Sequence, residues 1–376
     1  MRILHIIPAY KPAHVYGGPV ESTFYLCRYL AVNGCDVRVL TTDANGPKAV
    51  LDVKTDHEVQ IATGVRVRYC HRWIGNSVTP TLLRLLPSYI HWADVVYLSA
   101  VYSFPTIPTL FLCKISGKPL VWSPHGALQR WKGSTHPMLK AVWEWVCRMA
   151  APKKLTLHVT SKKEAKDSLE RLPDVEIAVI PNGIEIPDQL TRVPRSGALR
   201  LLYLGRLHPI KGIENILASC KLLNSFSSVT WSLTIAGSGD LDYVESLRVR
   251  IEDLMLARQV QMVGAVEGEI KQSLFENTDI VIVPSHTENF GMVIAEALAH
   301  GVPVVASKGT PWKRVEEIGC GLWVENDPES LAKAIERMTR MPLREMGERG
   351  RKWMQNDFTW DSKAKSMIKL FRSLVG

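Results

Sequence analysis

The sequence predicts two consecutive α/β domains, each a parallel sheet wound with helices. Short runs rich in Val, Ile, Leu and Thr alternate with longer amphipathic segments, which is typical of parallel strands joined by helices. The 376 residues are enough for two or three domains of roughly 100 to 200 residues each. Hydrophobic residues make up 46%, charged residues 22%, and mean hydropathy is close to zero. This composition excludes disorder, collagen and a coiled coil as the main character of the chain.

The first series of strands occupies the N-terminal half. Pro181-Asn182-Gly183 has turn chemistry and leads into a polar, proline-containing stretch. We therefore predict a first domain over residues 1–190 and a second over 191–358. The strands predicted in the first domain are 2–9, 36–42, 64–69, 94–100, 119–123, 155–160 and 175–180.

The second series has the same alternation, with helices such as 213–224 and 241–257 between its strands. Ligands bind outside the carboxyl ends of strands in open parallel sheets, so two such sheets predict a site in a central cleft. The tail 358–374 carries a helical apolar stripe. We expect a helix over about 359–376 to cross back to the first domain. The strands predicted in the second domain are 199–203, 231–236, 260–263, 280–284, 302–306 and 321–324.

Cysteine usage and hydropathy indicate a cytoplasmic protein. The seven cysteines are scattered and form no Cys-x-x-Cys pair, which disfavours a disulfide framework and a zinc cluster. The apolar run 3–8 is too short for a signal peptide. The longer run 92–113 is interrupted by Asp94, Pro105 and Pro108, so we expect no transmembrane helix.

Most of the excess positive charge lies in the N-terminal half, where residues 1–190 hold 22 Lys and Arg against 15 Asp and Glu. The segment 128–166 contains nine basic residues and only two acidic ones, Glu144 and Glu164. Such a face can meet anionic lipid, a phosphorylated substrate or nucleic acid. A solvated surface with its tryptophans turned into the core is the alternative. The tryptophans of this segment are Trp131, Trp143 and Trp145.

A glycine loop with two cations follows the first strand of the second domain. Residues 205–212 read Gly-Arg-Leu-His-Pro-Ile-Lys-Gly and open directly into the helix predicted from residue 213. Arg206 and Lys211, beside backbone amides at a helix N-terminus, favour a diphosphate. The alternative is an ordinary loop with two exposed basic residues.

Two carboxylates eight residues apart follow the strand 280–284. If Gly291 begins a helix, Glu288 lies in the loop before it and Glu296 projects about two turns later, so the two reach different parts of one extended ligand. The amides of residues 289–291 would lie at that helix N-terminus and could bind an anion. A capping carboxylate with a chance helical glutamate is the alternative.

These motifs, in this order, resemble those of retaining glycosyltransferases with the GT-B fold, close to glycosyltransferase family 4. The 205–212 segment is similar to that family's phosphate-binding stretch, and Glu288 and Glu296 match its E-x7-E signature. The resemblance implies two Rossmann-like domains, the first for the acceptor and the second for a nucleotide-sugar donor. Further matches span nearly the whole chain: Pro-x-Tyr near the N-terminus, then 17–21, 34–37, Pro124-His125-Gly126 and 181–184.

The resemblance also implies how the donor diphosphate is held. Arg206 and Lys211 would neutralise its charge, which grows as the glycosidic bond to phosphate breaks. Gly17 and Gly18 lack side chains and would let the first-domain loop approach the pyrophosphate.

The glutamate segment is implied to bind the rest of the donor. Glu288 would accept hydrogen bonds from hydroxyls of the donor sugar, with the amides of Asn289, Phe290 and Gly291 nearby. Glu296 would accept from the ribose hydroxyls. A carboxylate suits a diol because it accepts two hydrogen bonds.

The reaction implied is front-face attack assisted by the leaving phosphate, with retention of anomeric configuration. His125, after the strand 119–123, would line the cleft beside the donor sugar; a loop histidine bonded to backbone is the alternative. We therefore nominate His125, Arg206, Lys211 and Glu288 as catalytic residues and no catalytic base. Cys35 stands where the family usually has His, a departure on a strand entry that concerns packing more than catalysis.

Two segments favour other chemistry more weakly. Asp240-Leu-Asp242 has the Asp-x-Asp form of metal-dependent transferases, but it begins a helix, where acidic residues favour the macrodipole. Gly237-Ser238-Gly239 lacks the third glycine of a dinucleotide fingerprint. We expect no metal, no other cofactor and no dehydrogenase.

We expect a hexosyltransferase that moves a sugar from a UDP- or GDP-linked donor to a saccharide or lipid-linked saccharide, in bacterial surface polysaccharide assembly. If the acceptor is lipid-linked, the segment 128–166 would contact anionic lipid at the inner face of the membrane. The alternatives are a nucleotide-sugar 2-epimerase of the same fold, a non-catalytic nucleotide-sugar sensor, and a nucleic-acid-binding protein. The carboxylate pair and the phosphate-binding cations argue against the last two.

Overall fold

The computed structural model describes residues 1–46, 48–55, 57–75, 77–130, 136–226 and 228–376. The chain divides into two compact units. One comprises Met1–Gly183 and Trp360–Gly376, and the other Ile184–Thr359. The chain passes from the first unit to the second after Gly183, whereas the sequence predicted this boundary at residue 190. It returns to the first unit at Trp360, and the sequence predicted this return at about residue 359.

The first unit is built on an eight-stranded sheet with one short separate ribbon. Its strands are β1 (Arg2–Ala9), β2 (Asp36–Thr42), β3 (Ala44–Asn45), β4 (Ala49–Val50), β5 (Val59–Ala62), β6 (Val65–Cys70), β7 (Val95–Ser99), β8 (Leu120–Ser123), β9 (Leu155–Val159) and β10 (Glu176–Val179). The sheet order is β10-β9-β8-β7-β1-β2-β6-β5, and β3 pairs with β4. Neighbours in the sheet are parallel except β5, which is antiparallel to β6.

All seven strands predicted for this unit are present within two residues. The prediction missed β3, β4 and β5, since two of these have only two residues and Gln60 interrupts the apolar run of β5. The helices are α1 (Gly18–Val32), α2 (Pro80–Trp92), α3 (Thr106–Ser116), α4 (Pro137–Ala150) and α5 (Lys162–Leu169).

The second unit has one six-stranded, wholly parallel sheet, and all six predicted strands are present. The strands are β11 (Leu199–Leu204), β12 (Trp231–Ala236), β13 (Val260–Gly264), β14 (Ile280–Val283), β15 (Val304–Ser307) and β16 (Gly321–Val324), in the order β13-β12-β11-β14-β15-β16. The helices are α6 (Ile213–Phe226), α7 (Leu241–Asp253), α8 (Gly268–Glu276), α9 (Met292–Ala299), α10 (Arg314–Ile318), α11 (Pro328–Thr339) and α12 (Leu343–Asp357).

Strand β11 shows why this sheet forms. Side chains alternate between the faces of a strand, so Leu201 and Tyr203 enter one core while Leu202 and Leu204 enter another. A strand that is apolar on both faces is stable only when helices cover both sides of its sheet. The predicted doubly wound α/β class is therefore confirmed.

The last helix, α13 (Trp360–Val375), belongs to the first unit, as predicted. The ring of Trp360 stacks on Tyr25 of α1 with centroids 5.9 Å apart, and Phe371 lies against Tyr97 of β7 at 6.0 Å. A Cβ on Gly183 would lie 2.5 Å from Cδ2 of Trp360, so only glycine fits where the chain first leaves this unit. In the described part of the chain, no helix is long and apolar enough to span a membrane.

Candidate functional site

Three strands of the second unit end together on glycines. The amide of Gly205 donates to Ala236 O at 3.0 Å, and that of Gly237 donates to Gly264 O at 2.7 Å. Gly237 has φ +149°, and a Cβ there would lie 1.8 Å from Gly205 O. The backbones after β11, β12 and β13 thus meet at the carboxyl edge of the sheet, where a parallel sheet binds its ligands.

The predicted phosphate loop follows β11 and ends at the start of α6. Residues Pro209–Lys211 form a 3-10 turn, and Gly212, at φ +64°, lies so close to the residue after β14 that a Cβ would be 2.3 Å from Pro284 O. The N-terminus of a helix offers backbone N–H groups without intrahelical acceptors. The strand, loop and helix arrangement predicted for residues 205–212 is therefore present.

Arg206 is an exposed cation in this loop. The hydroxyl of Tyr203 donates to Arg206 O at 2.9 Å and fixes its backbone. Burial raises the pKa of Tyr203, which keeps that hydroxyl protonated. Among the described residues, the Arg206 guanidinium has no hydrogen-bond or ion-pair partner, so its donors are available to an anionic ligand.

Lys211 forms an ion pair with Glu288, the first glutamate of the predicted pair. The hydroxyl of Ser285 donates to the same oxygen, Oε1, at 2.9 Å, and Glu288 N donates to Gly309 O at 3.1 Å. The side chains of Lys211 and Glu288 are only 21% and 13% exposed. Because they lie in different motifs, the sequence did not predict that they touch.

Glu288 lies in the loop before α9 and Glu296 lies on α9, as the spacing predicted. Gly291 takes φ +80° at the N-cap and offers no capping side chain, and the carboxylate of Glu288 instead contacts Lys211 and Ser285. Glu296 pairs with Lys271 of α8 at 2.7 Å. Lys271 was not predicted as a site residue because no motif surrounds it.

The loop between the two glutamates is held in place by the packing of Phe290 against Trp312. Phe290 is 5% exposed, and its ring lies edge-on to Trp312 with centroids 5.2 Å apart. The Nε1 of Trp312 donates to Phe290 O. Asn289 and Gly291 flank this anchored residue, so the backbone of the whole turn has a defined orientation.

The weaker metal candidate, Asp240, is a helix cap. Its carboxylate accepts from Asp242 N at 3.1 Å and Tyr243 N at 3.4 Å at the start of α7. Among the residues that the structure describes, no group of three or more His, Cys, Asp and Glu side chains could hold a metal ion.

His125 belongs to the first unit and follows β8 with φ +50°. Its Nε2 lies 3.0 Å from Ser99 Oγ, and the same oxygen lies 2.8 Å from His5 Nε2. Its partner is therefore a side chain, not the backbone that the alternative proposed. Burial, with a smaller effect from His158, lowers the pKa of His125 to about 3, so its imidazole is neutral at neutral pH.

A buried carboxylate that the sequence analysis overlooked holds the loop after His125. Glu164 is 1% exposed and accepts from Gly126 N and from Thr160 N, each at 2.7 Å. The Oγ of Ser161 accepts from Glu164 N at 3.1 Å at the start of α5. Ser161 and Glu164 have the spacing of a capping box, a signal that could have identified them.

Gly17 and Gly18 lie at the start of α1 in the first unit. Both are exposed, and Gly17 takes φ +67°, with no heavy atom of the described residues within 4 Å of a Cβ added there. The predicted basic segment also lies in this unit. Trp131 and Lys132 are outside the described residues, Trp143 is half-buried with Nε1 donating to Val101 O, and Trp145 is exposed.

Both halves of the chain match family models of glycosyltransferases. Residues 16–186 match the family model Glycosyltransferase Family 4, and residues 192–353 match Glycosyl transferases group 1. An uncharacterized glycosyltransferase of Methanocaldococcus jannaschii is 31% identical over 231 residues, 56% of this chain and 58% of the relative. The alignment thus spans just over half of that protein.

Two further proteins resemble the whole chain. A glycogen synthase of Mycobacterium tuberculosis is 27% identical over 99% of this chain and 94% of its own length. HepE of Anabaena, solved in complex with UDP, has a TM-score of 0.76 at 19% identity, covering 99% of this chain and 100% of its own. These matches identify the chain as a glycosyltransferase. The chain belongs to glycosyltransferase family 4 and has the GT-B fold.

Proposed function

We propose that this glycosyltransferase retains anomeric configuration, needs no metal ion, and transfers a hexose from a UDP- or GDP-linked donor to a saccharide or lipid-linked saccharide. The second unit would bind the donor and the first the acceptor. The observation that carries this proposal is the contact between Lys211 and Glu288. It brings a cation suited to phosphate together with an acceptor suited to sugar hydroxyls.

The diphosphate would lie at the glycine edge of the sheet, against Arg206 and Lys211. Arg206 has donors that no described residue uses, and Lys211 is already held by Glu288. Two cations at this point would stabilise the charge that develops on the leaving diphosphate. They supply the positive charge that a divalent ion supplies in metal-dependent transferases, and this supports the proposal of a metal-independent reaction.

The two glutamates would then bind the donor on either side of the diphosphate. Glu288 has a second oxygen, Oε2, beyond the one that Lys211 and Ser285 engage, and it would accept from a sugar hydroxyl. Glu296, about one turn into α9, would accept from the ribose. Asn289, Phe290 and Gly291 would add backbone amides near the sugar.

The proposed chemistry is a front-face displacement. The bond from the anomeric carbon to the phosphate oxygen breaks while the acceptor oxygen bonds to the same face of that carbon. The acceptor proton passes to the leaving phosphate oxygen, so no side chain is needed as a base. His125 would contribute a neutral imidazole that hydrogen-bonds the donor sugar, and Gly17 and Gly18 would allow close approach of the pyrophosphate.

The proposed setting is the cytoplasm, in assembly of a bacterial surface polysaccharide. All seven cysteines are buried free thiols, which suits a reducing compartment. The Anabaena structure was solved with UDP, which makes UDP-sugars the first donors to test. Saccharide acceptors come first because the Mycobacterium relative is a glycogen synthase.

The test is to incubate the protein with UDP- and GDP-hexoses and saccharide acceptors, with and without EDTA. We expect release of one nucleoside diphosphate, a product whose anomeric configuration by NMR equals that of the donor, and no effect of EDTA. Glu288→Gln should lower turnover about a hundredfold. Glu245→Gln, at a 71% exposed side chain on α7, is the matched control.

Three results would contradict the proposal. Inverted product would exclude the front-face mechanism, and loss of turnover in EDTA would exclude metal independence. Conversion of the donor to an epimer without any acceptor would favour the nucleotide-sugar 2-epimerase.

A further inference from the structure

Helix α4 exposes apolar side chains along one face. Met138, Val142, Trp145 and Met149 recur at intervals of four, three and four residues, which places them on one stripe. They are 84%, 59%, 55% and 60% exposed. A surface helix normally turns such a stripe toward the core.

The opposite face of α4 carries a buried carboxylate. Glu144 is 5% exposed and forms an ion pair with Arg130. The hydroxyl of Tyr102 also donates to Glu144. These contacts fix the rotation of the helix, because turning the apolar stripe inward would break this ion pair and move the Glu144 carboxylate away from Arg130 and Tyr102.

Helix α3 extends the apolar surface. Phe111 and Ile115, one turn apart, are 52% and 64% exposed. Between them, Lys114 donates to Met149 O of α4 at 2.7 Å, which holds the ends of the two helices together. Monomeric proteins rarely leave large contiguous apolar patches in water, so a surface of this kind marks an interaction site.

The charge around this surface selects the partner. In the described part of 128–166, both carboxylates, Glu144 and Glu164, are buried, so this part presents no exposed negative side chain. Arg148, Lys153 and Lys154 are exposed at and just beyond the end of α4. An apolar stripe with a tryptophan and flanking cations is complementary to the interface of an anionic bilayer.

We propose that the surface formed by α3 and α4 binds anionic lipid. The apolar side chains of Phe111, Ile115, Val142 and Trp145 insert at the level of the headgroups, and the cations at the end of α4 bind lipid phosphates. The protein lies on the membrane and does not span it. This inference does not depend on the donor or acceptor proposed above.

The experiment is sedimentation with vesicles of phosphatidylcholine alone and of phosphatidylcholine mixed with phosphatidylglycerol. We expect the parent to bind the anionic vesicles at low salt and to be released at high salt, since screening weakens the charge term. Val142→Ser/Trp145→Ser should lower the partition coefficient about tenfold. Arg148→Glu/Lys153→Glu should lower it at least about fivefold.

Matched variants in the second unit control for net charge and hydropathy. Leu241 and Met255 are exposed apolar residues, so Leu241→Ser/Met255→Ser should bind like the parent. Arg258 and Lys352 are exposed cations, and Arg258→Glu/Lys352→Glu should lose less binding than the α4 charge variant.

The proposal is overturned if the parent does not sediment with anionic vesicles at low salt, or binds neutral vesicles equally well. It is also overturned if the α4 variants bind no more weakly than their controls. Sedimentation velocity without lipid tests whether a second copy of the chain covers this surface instead. If the parent is a dimer and Val142→Ser/Trp145→Ser is a monomer, the second copy is the partner and the lipid proposal is wrong.

Discussion

The Nζ of Lys211 donates to Oε1 of Glu288, so a residue of the phosphate loop and a residue of the glutamate pair hold each other in position. The two lie 77 residues apart in sequence, and Ser285 donates to the same oxygen. A ligand that contacts either residue is therefore presented with both. The pairing also links the stability of the second unit to its site.

This ion pair predicts a compensating double variant. Lys211→Met leaves a mostly buried carboxylate without its cation, which should cost about 2 to 3 kcal/mol and lower the unfolding midpoint by about 4 to 8 °C. Lys211→Met/Glu288→Gln should recover most of that stability, because the buried charge is gone, and should remain inactive. Calorimetry with a turnover assay checks both. Equal midpoints for the single and double variants would contradict the pairing.

The glycine contact at the carboxyl edge predicts a severe substitution. Gly237→Ala brings a Cβ to 1.8 Å from Gly205 O, so the backbone of the phosphate loop must move. We expect a loss of about 3 kcal/mol or more and of nucleotide binding. Gly117→Ala is the control, because Gly117 also has positive φ, +65°, but nothing in the described part of the chain lies within 4 Å of a Cβ there. A loss no larger than that of the control, about 1 kcal/mol, would show that the contact tolerates a methyl group.

The buried histidines predict acid lability of the first unit. Burial is the main cause that lowers the pKa to about 3 for His5 and His125 and to about 4 for His158, whereas each returns to about 6.5 on unfolding. Between those values the unfolded chain binds protons that the folded chain does not. Stability should be full above about pH 7 and fall as pH drops, by up to about 1.4 kcal/mol per pH unit for each histidine.

Thermal unfolding measured from about pH 7 to about pH 4 checks this dependence. His158→Gln should reduce the slope, while His91→Gln, at an exposed histidine of α2, serves as the control. A midpoint that does not change over this range, or a slope that His158→Gln leaves unaltered, would contradict it.

Ser99 is expected to act through His125. Its hydroxyl contacts His125 and His5, so Ser99→Ala removes one partner from each ring. We expect kcat to fall about tenfold with nucleotide affinity unchanged, since Arg206, Lys211 and Glu296, which would bind the nucleotide, lie in the second unit. Ser99→Ala/His125→Gln should be no slower than His125→Gln alone. Additive losses, or an equal rise in the nucleotide Kd, would indicate general damage to the fold.

The sequence predicted the strands and the motifs because both are local patterns. A buried parallel strand such as β14 reads as four consecutive apolar residues, and the phosphate loop reads as glycines and cations between a strand and a helix. The antiparallel edge strand β5 was missed because Gln60 interrupts its apolar run and leaves no more than two consecutive apolar residues to mark a strand.

The partners of the site residues could not be predicted in the same way. Lys271 meets Glu296 from another helix, and Ser99 meets His125 from another strand. Such pairs depend on how elements pack, which local spacing does not encode. The rotation of α4 was unpredictable for a related reason: its apolar stripe favours an inward face, but the buried contacts of Glu144 turn that stripe outward.

The diphosphate site is tested most directly by calorimetric titration of nucleoside diphosphates and monophosphates into the parent and Arg206→Ala. Arg206 is exposed and has no described partner, so this variant should keep its stability. We predict that the parent binds UDP or GDP at least about tenfold more tightly than the matching monophosphate, and that Arg206→Ala loses most of this difference. Equal affinity for diphosphate and monophosphate in the parent, or an undiminished preference in Arg206→Ala, would contradict a diphosphate site at this loop.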